Sequence, residues 1–285
     1  MAPQSGKLYV VATPIGNLAD ISLRAIDTLK SVDLIAAEDT RHVQALLQHY
    51  GISNKLLALH QHNEDKAAAG LLEKIRSGLS IALVSDAGTP LISDPGLPLV
   101  KQVHEAGLTV VPIPGASALI TALSAAGLPV TPFSFTGFTP RTSSARQAFF
   151  SSRKDDPATW VFYESSHRIL ASLQDLAEVL RDDRVIVIAR ELTKLHETIV
   201  KANLSVALEK VVNDDNMKKG EFVVIVSGAT TADEQAQNIT AEQQRVLAIL
   251  LKGCPLKTAV ALAVEITGAR KKILYQAALG MVEPL

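Results

Sequence analysis

The side chains best suited to chemistry gather at the ends of short apolar runs. The run Ile81 to Val84 breaks into "SDAGTPLISDPG" (85–96), which packs two Ser, two Asp, two Pro and two Gly into one segment. A second run ends in "AEDTRH" (37–42), where Glu38, Asp39, Arg41 and His42 stand together. Others end in "ATPIGNLAD" (12–20), "PIPGASA" (112–118), "YESSHR" (163–168) and "ARELTKLHE" (189–197). Carboxylates and imidazoles at such ends can exchange protons, guanidinium groups can hold anions, and Gly- and Ser-rich turns present backbone polar groups to a small ligand. Any one of these loops has a plainer explanation. Asp86, Ser93 and Asp94 could cap a helix opening near Leu97, and "AEDTRH" could be a capped helix start with a surface ion pair. Six such loops on one edge point instead to a composite site, because ligands of open α/β sheets sit at the carboxyl ends of the strands. "HQHNE" (60–64) has His60, His62 and Glu64 at metal-like spacing but no clear further ligand, and reads better as a polar strand-end network.

Missing motifs narrow the chemistry. The chain has no Gly-x-Gly, hence neither a dinucleotide fingerprint nor the glycine-rich first loop of the common methyltransferase fold. A G-x-x-x-x-G-K-[ST] phosphate loop and a G-x-S-x-G nucleophile elbow are also missing. The single cysteine, Cys254, excludes an internal disulfide framework and any multi-cysteine metal site.

The elements that must position these loops alternate. Strands are predicted at 8–12, 33–37, 56–59, 81–84 and 109–113, with helices near 22–31, 40–50, 64–77 and 97–106 between them. Strands apolar throughout and separated by helices imply a covered parallel sheet. A helix over 116–125 opens a second set, with strands at 133–137, 159–163, 184–189 and 221–226. The polar segment "SGATTADEQAQN" (227–238) has linker composition. Thr240 with Gln243 then predicts a capping box and a helix to about Lys252. Pro255 fits the first turn of a helix ending near Gly268, and a third helix is expected from Arg270 to Leu279.

At 285 residues, 47% apolar and 4% aromatic, the composition suits helices packed on sheets better than an aromatic-rich sandwich. The net charge of -1 is unevenly spread. Residues 240–285 hold six Lys or Arg against three Glu, so the rest of the chain is acidic. The apolar run near the N-terminus is too short for a signal peptide, and no 18-residue apolar span appears, so a soluble cytoplasmic protein is expected.

Taken in order, "TPIGNLADISLRA", "AEDTRH", "VSDAGTPLISDPG", "PGASA", "FYESSHR", "ARELTK" and "KGEFVVIV" closely resemble the bacterial family of 16S ribosomal RNA 2′-O-ribose methyltransferases. That family modifies a cytidine in the decoding centre and belongs to the tetrapyrrole-methylase superfamily. The resemblance covers nearly the whole chain. It implies an α/β fold of two tetrapyrrole-methylase-type domains (1–114 and 115–227), a linker (228–239) and a small helix-turn-helix-like bundle (240–285). It also implies S-adenosyl-L-methionine bound between the domains, no metal, a homodimer, and 16S rRNA within the small ribosomal subunit as substrate. Residues matched to cofactor contacts are Pro14, Ala87, Gly88, Thr89, Ile92, Ser117, Ala118, Tyr163, Ala189 and Gly220. Thr89 stands where the superfamily typically has Asp, so backbone carbonyls near Ala87 or Ile92 would have to receive the cofactor's ammonium.

Methyl transfer from a sulfonium is an in-line displacement helped by alignment, desolvation and a base for the ribose hydroxyl. Asp39, His42, Glu164 and His167 are the candidate bases, unranked. Arg41, Arg168, Arg190 and Lys194 are expected at RNA phosphates, as are Lys257, Arg270, Lys271 and Lys272 of the bundle. The alternatives are a tetrapyrrole methyltransferase with the same cleft, and a non-catalytic RNA-binding assembly factor.

Overall fold

The computed structural model describes residues 6–180, 184–229 and 240–282, which fall into two compact units, Met1–Gly228 and Ala229–Leu285. The first unit holds two five-stranded sheets. In the first sheet, β1 (Lys7–Val11), β2 (Leu34–Ala37), β3 (Leu56–Ala58), β4 (Ile81–Val84) and β5 (Thr109–Ile113) are all parallel, in the order β3-β2-β4-β1-β5. The crossovers are α1 (Leu23–Ser31), α2 (Thr40–His49), α3 (Glu64–Arg76) and α4 (Leu97–Glu105).

The apolar runs have no polar alternation because both faces of this sheet are covered. Ala82 and Val84 pack with Ala25 and Leu29 of α1 and with Val43 and Leu47 of α2. Ile81 and Leu83 face the other way, towards Leu71 and Ile75 of α3 and Leu99 and Val103 of α4. Neighbouring strands β1 and β4 send their connections to opposite sides, and this reversal opens a crevice at their carboxyl ends. Two backbone hydrogen bonds bridge those ends, from Thr13 N–H to Gly88 O (2.9 Å) and from Gly88 N–H to Thr13 O (3.1 Å).

After α5 (Ala118–Ala125) comes the second sheet, of β6 (Phe133–Phe138), β7 (Thr159–Ser165), β8 (Val185–Arg190), β9 (Thr198–Asn203) and β10 (Glu221–Val226), in the order β6-β7-β10-β8-β9. Only the β6–β7 pair is parallel. One face packs on α6 (Ser143–Ser151), α7 (Ile169–Leu180) and α8 (Leu204–Asn213) through Phe150, Leu173, Leu176 and Val211. The other packs on α5 through Leu119, Ala122 and Leu123, and Ile15 from the β1 loop joins that cluster. Edge strand β9 lies beyond the elements expected from sequence. Its "TIVKAN" alternates half-buried and exposed positions, a weaker signal than the apolar runs.

The second unit contains α9 (Ala241–Leu251), α10 (Leu256–Thr267) and α11 (Lys271–Val282), packed around Leu247, Val260, Ala263, Leu274 and Ala278. The capping box forms: Gln243 N–H donates to Thr240 Oγ1, and Thr240 N–H to Gln243 Oε1. The expected linker lies outside the described residues from 230 to 239. No described helix is long and apolar enough to cross a membrane.

Candidate functional site

A cleft of about 470 Å³ opens between the carboxyl ends of the first sheet and loops of the second, within the size range of small-molecule sites. Most of its first-sheet wall is the segment after β4. Leu91 and Ser93 there both have φ of 74°, a left-handed conformation that costs a non-glycine residue about 1–3 kcal/mol. Surrounding contacts hold it. Thr89 Oγ1 donates to Ala116 O at 3.0 Å, Ser85 Oγ reaches Gly88 O at 3.4 Å, and Glu64 Oε2 accepts Gly96 N–H at 2.9 Å. Gly88 is required at its position: its φ is 84°, and a Cβ would lie 3.2 Å from Ile15 Cγ2. Helix α4 starts at Gly96 without a side-chain cap, so Asp86, Ser93 and Asp94 do not cap it and instead line the cleft.

Ala87, Gly88, Thr89, Ile92, Ser117, Ala118, Tyr163, Ala189 and Gly220 all line this cleft. Pro14 does not; its neighbour Ile15 does. The expected bases have diverse surroundings. Asp39 caps α2 through Arg41 N–H and is held well below the usual carboxylate range by hydrogen bonds from the Arg41 side chain and backbone. His42 and His167 are exposed and do not line the cleft. Glu164 borders it but is buried and saturated. Its oxygens accept from Thr139 Oγ1, Ser172 Oγ, Ser165 N–H and Arg168 Nη2, and Arg168 Nε lies 2.9 Å away. Its carboxylate oxygens are thus occupied by donors of the fold and not turned to the cleft.

Three of the residues expected at phosphates also carry bonds within the fold. Arg168 donates inward to Thr139 O and to Glu164. The guanidinium of Arg190 is 8% exposed as a residue and donates to Lys219 O at 2.6 Å and His196 O at 3.0 Å. Lys194 bridges Glu191 (3.0 Å) and Glu221 (2.8 Å). Arg41 stays 90% exposed in its side chain while paired with Asp39. Lys257, Arg270, Lys271 and Lys272 are exposed, and no ion pair is formed by any of them among the described residues.

The strongest electrostatic feature of the cleft comes from Glu38, Asp86 and Asp94, which are not among the expected bases or cofactor contacts. Glu38 is pushed up to about 6, first by burial and then by the charges of Asp86 and Asp94. Asp94 is also raised to about 6 by burial and Asp86, against a hydrogen bond from Ser85. Burial raises Tyr163 as well. Two buried carboxyls whose ionisation is penalised, set beside the charge of Asp86, favour a positively charged ligand. S-adenosyl-L-methionine carries a sulfonium and an ammonium, so this residue set fits it. Asp86 and Asp94 supply the acidity that Thr89 does not, and the apolar surface of Ile15, Leu192, Ala189 and Val223 suits an adenosine. Among the described residues no group of three or more His, Cys, Asp or Glu side chains could hold a metal ion, and the ring centroids of His60 and His62 are 6.1 Å apart.

Known proteins resemble this chain at two levels. The family of tetrapyrrole (corrin/porphyrin) methylases matches residues 7–207, and the C-terminal helix-turn-helix domain of the RsmI family matches residues 237–281. Among solved structures, uroporphyrin-III C-methyltransferase from Thermus thermophilus, in complex with S-adenyl homocysteine, superposes with a TM-score of 0.54 at 19% identity, over 78% of this chain and 97% of that one. At that identity the likeness concerns the fold. Sequence relatives are far closer. Ribosomal RNA small subunit methyltransferase I of Escherichia coli O157:H7 is 53% identical over 96% of this chain and 95% of that protein. Its counterpart from Vibrio cholerae is 54% identical over 94% and 93%. With that identity over nearly its whole length, on a tetrapyrrole-methylase fold, the chain belongs to the ribosomal RNA small subunit methyltransferase I family.

Proposed function

We propose that this protein methylates the ribose 2′-oxygen of a cytidine in the decoding centre of 16S rRNA, on the small ribosomal subunit in the cytoplasm, as a homodimer. The family is one of S-adenosylmethionine-dependent rRNA methyltransferases. The observation that carries the reading is the inter-sheet cleft, whose first wall is backbone-rich and strained and whose rim is acidic.

Segments 87–92 and 117–118, with Tyr163, Ala189 and Gly220 opposite, would hold the cofactor, and Asp86 and Asp94 would balance its positive charge. When bound, S-adenosylmethionine supplies an electrophilic methyl group and leaves as a neutral thioether. The chain's contribution is then to align the hydroxyl with that methyl, exclude water and accept a proton. The loop after β2 lies beside the β4 loop in sheet order, which puts Arg41 at the outer flank of the cleft, where a phosphate could be met. Lys257, Arg270, Lys271 and Lys272 would add phosphate contacts from the second unit.

Purified protein incubated with labelled S-adenosylmethionine and small subunits lacking the modification should label one cytidine at its 2′-oxygen. The labelled nucleotide is then mapped by nuclease digestion and mass spectrometry. Intact cofactor binding without labelled rRNA would instead direct the search to a small-molecule acceptor such as a tetrapyrrole. Sedimentation at micromolar concentration checks the dimer.

A further inference from the structure

We propose that Glu38 is the catalytic residue that accepts the proton of the ribose 2′-hydroxyl, an assignment that rests on the function proposed above.

The first argument is position. Glu38 immediately follows β2, and Ala37 pairs with Val84 of β4, so its side chain lies beside the segment that begins at Ser85. The strand order sets Ser117 and Ala118, after β5, on the far side of the crevice. Glu38 thus borders the flank nearest the loop that carries Arg41, between the segments assigned to cofactor and the loop assigned to substrate.

The second argument is availability. A proton acceptor needs a free oxygen facing the cleft and a protonation equilibrium near the working pH. Asp39 and Glu164 are committed to Arg41 and to the Thr139–Ser172–Arg168 donors. Asp86 accepts Asp39 N–H at 2.9 Å, and Asp94 is hydrogen-bonded by Ser85 within the cofactor segment. Glu221, across the cleft, is exposed and paired with Lys194 at 2.8 Å. Glu38 faces Asp86, Asp94 and its neighbour Asp39, with a single backbone N–H, that of Asp86, directed at it. Tyr163 and Glu221 are the titratable groups lining the opposite wall beside the buried Glu164. This environment raises its proton affinity to about 6 while leaving it mostly ionised at neutral pH.

In the reaction the 2′-oxygen closes its bond to the methyl carbon while the carbon–sulfur bond breaks and leaves its electron pair on sulfur. The hydroxyl proton passes to the Glu38 carboxylate and from there to solvent.

The test compares wild type with Glu38→Gln in single-turnover methylation of small subunits across pH 5 to 9, with cofactor affinity by calorimetry and thermal unfolding alongside. Wild-type rate should rise with pH through an inflection at or below about 6, since a bound cation lowers the carboxyl's proton affinity, and then level off. Glu38→Gln should be slower by roughly 10²- to 10⁴-fold, without that inflection. Its cofactor affinity should fall by no more than about tenfold, the loss of one neighbouring charge, far less than the loss in rate. It should be at least as thermally stable at pH 8, because a carboxyl whose affinity is raised by folding is penalised when ionised. Asp94→Asn should weaken cofactor binding instead. Glu38→Gln that works within fivefold of wild type, keeps the inflection, or loses cofactor binding together with stability overturns the role. Wild type that leaves the ribose unmethylated overturns the function proposal and this one with it.

Discussion

Asp39, Glu164 and Glu38 carry the same functional group, and their neighbours give them three different duties. Asp39 is spent on a helix start and an arginine, Glu164 on a buried donor network, and Glu38 on a cleft shared with two other acids. Thr89 poses the reverse case, an uncharged side chain in the cleft wall whose hydroxyl ties two loops through Ala116 O. Thr89→Trp should fill the cleft and abolish cofactor binding in calorimetric titration while far-ultraviolet circular dichroism stays native. Thr89→Val loses only a hydrogen bond of about 1 kcal/mol and should weaken binding less than tenfold. Asp175 marks the structural end of this range. Burial alone would raise its affinity for protons, but Ser143, Gln147 and Arg146 hold it below the usual value. Both members of the Arg146–Asp175 pair are buried, so Asp175→Ala should cost about 3–5 kcal/mol in urea unfolding at pH 7. A depressed carboxyl contributes stability above its unfolded value and loses it as pH falls. The gap between wild type and variant should therefore narrow below about pH 4.

At the level of elements, the segment after β4 is a strained loop clamped at both ends, by the Thr13–Gly88 bridge and by Gly96 against Leu83. A Cβ on Gly96 would stand 2.7 Å from Leu83 Cδ2 at a φ of 119°. Gly96→Ala should cost about 1–3 kcal/mol in urea unfolding and lower cofactor affinity at least tenfold by shifting the loop. Cofactor affinity equal to wild type would mean that the loop tolerates the shift. The first sheet was legible in sequence because covered parallel strands leave unbroken apolar runs, and 81–84 and 109–113 coincide with β4 and β5. Strand β9 was not, since an edge strand with one wet face shows only alternation. Of the candidate site, the loops were legible from turn residues. The burial of Glu38 and Asp94 and the charge that Asp86 sets beside them were not, because they arise only when the ends of β2 and β4 meet. The same blindness made Arg168 and Arg190 look free. Nothing in "SSHR" or "ARELTK" reveals that Thr139 and Lys219, distant in sequence, supply carbonyls to their guanidinium groups.

Charge is divided across the whole molecule. Residues 240–285 carry an excess of basic groups over acidic ones, while the rest of the chain is acidic. An acidic cleft suits a cationic cofactor and repels RNA, so contact with a polyanion needs cations elsewhere. The second unit offers Lys257 in the first turn of α10, with Arg270, Lys271 and Lys272 where α11 begins. Its own core of Leu247, Val260, Ala263, Leu274 and Ala278 leaves these side chains outside the packing. Each phosphate contact releases counterions, so affinity for the small subunit should fall linearly on logarithmic axes as salt rises. Replacing the four cations with Gln should lower that slope by roughly 0.7–0.9 for each lost contact and weaken binding at 100 mM salt, with cofactor affinity unchanged. Removing residues 230–285 should leave a folded protein that binds cofactor and holds the subunit more weakly. Filter binding or fluorescence anisotropy over a salt series measures both effects. If the quadruple variant keeps wild-type affinity and slope, the basic surface faces solvent and the unit serves packing, leaving Arg41 and its surroundings to meet the RNA alone.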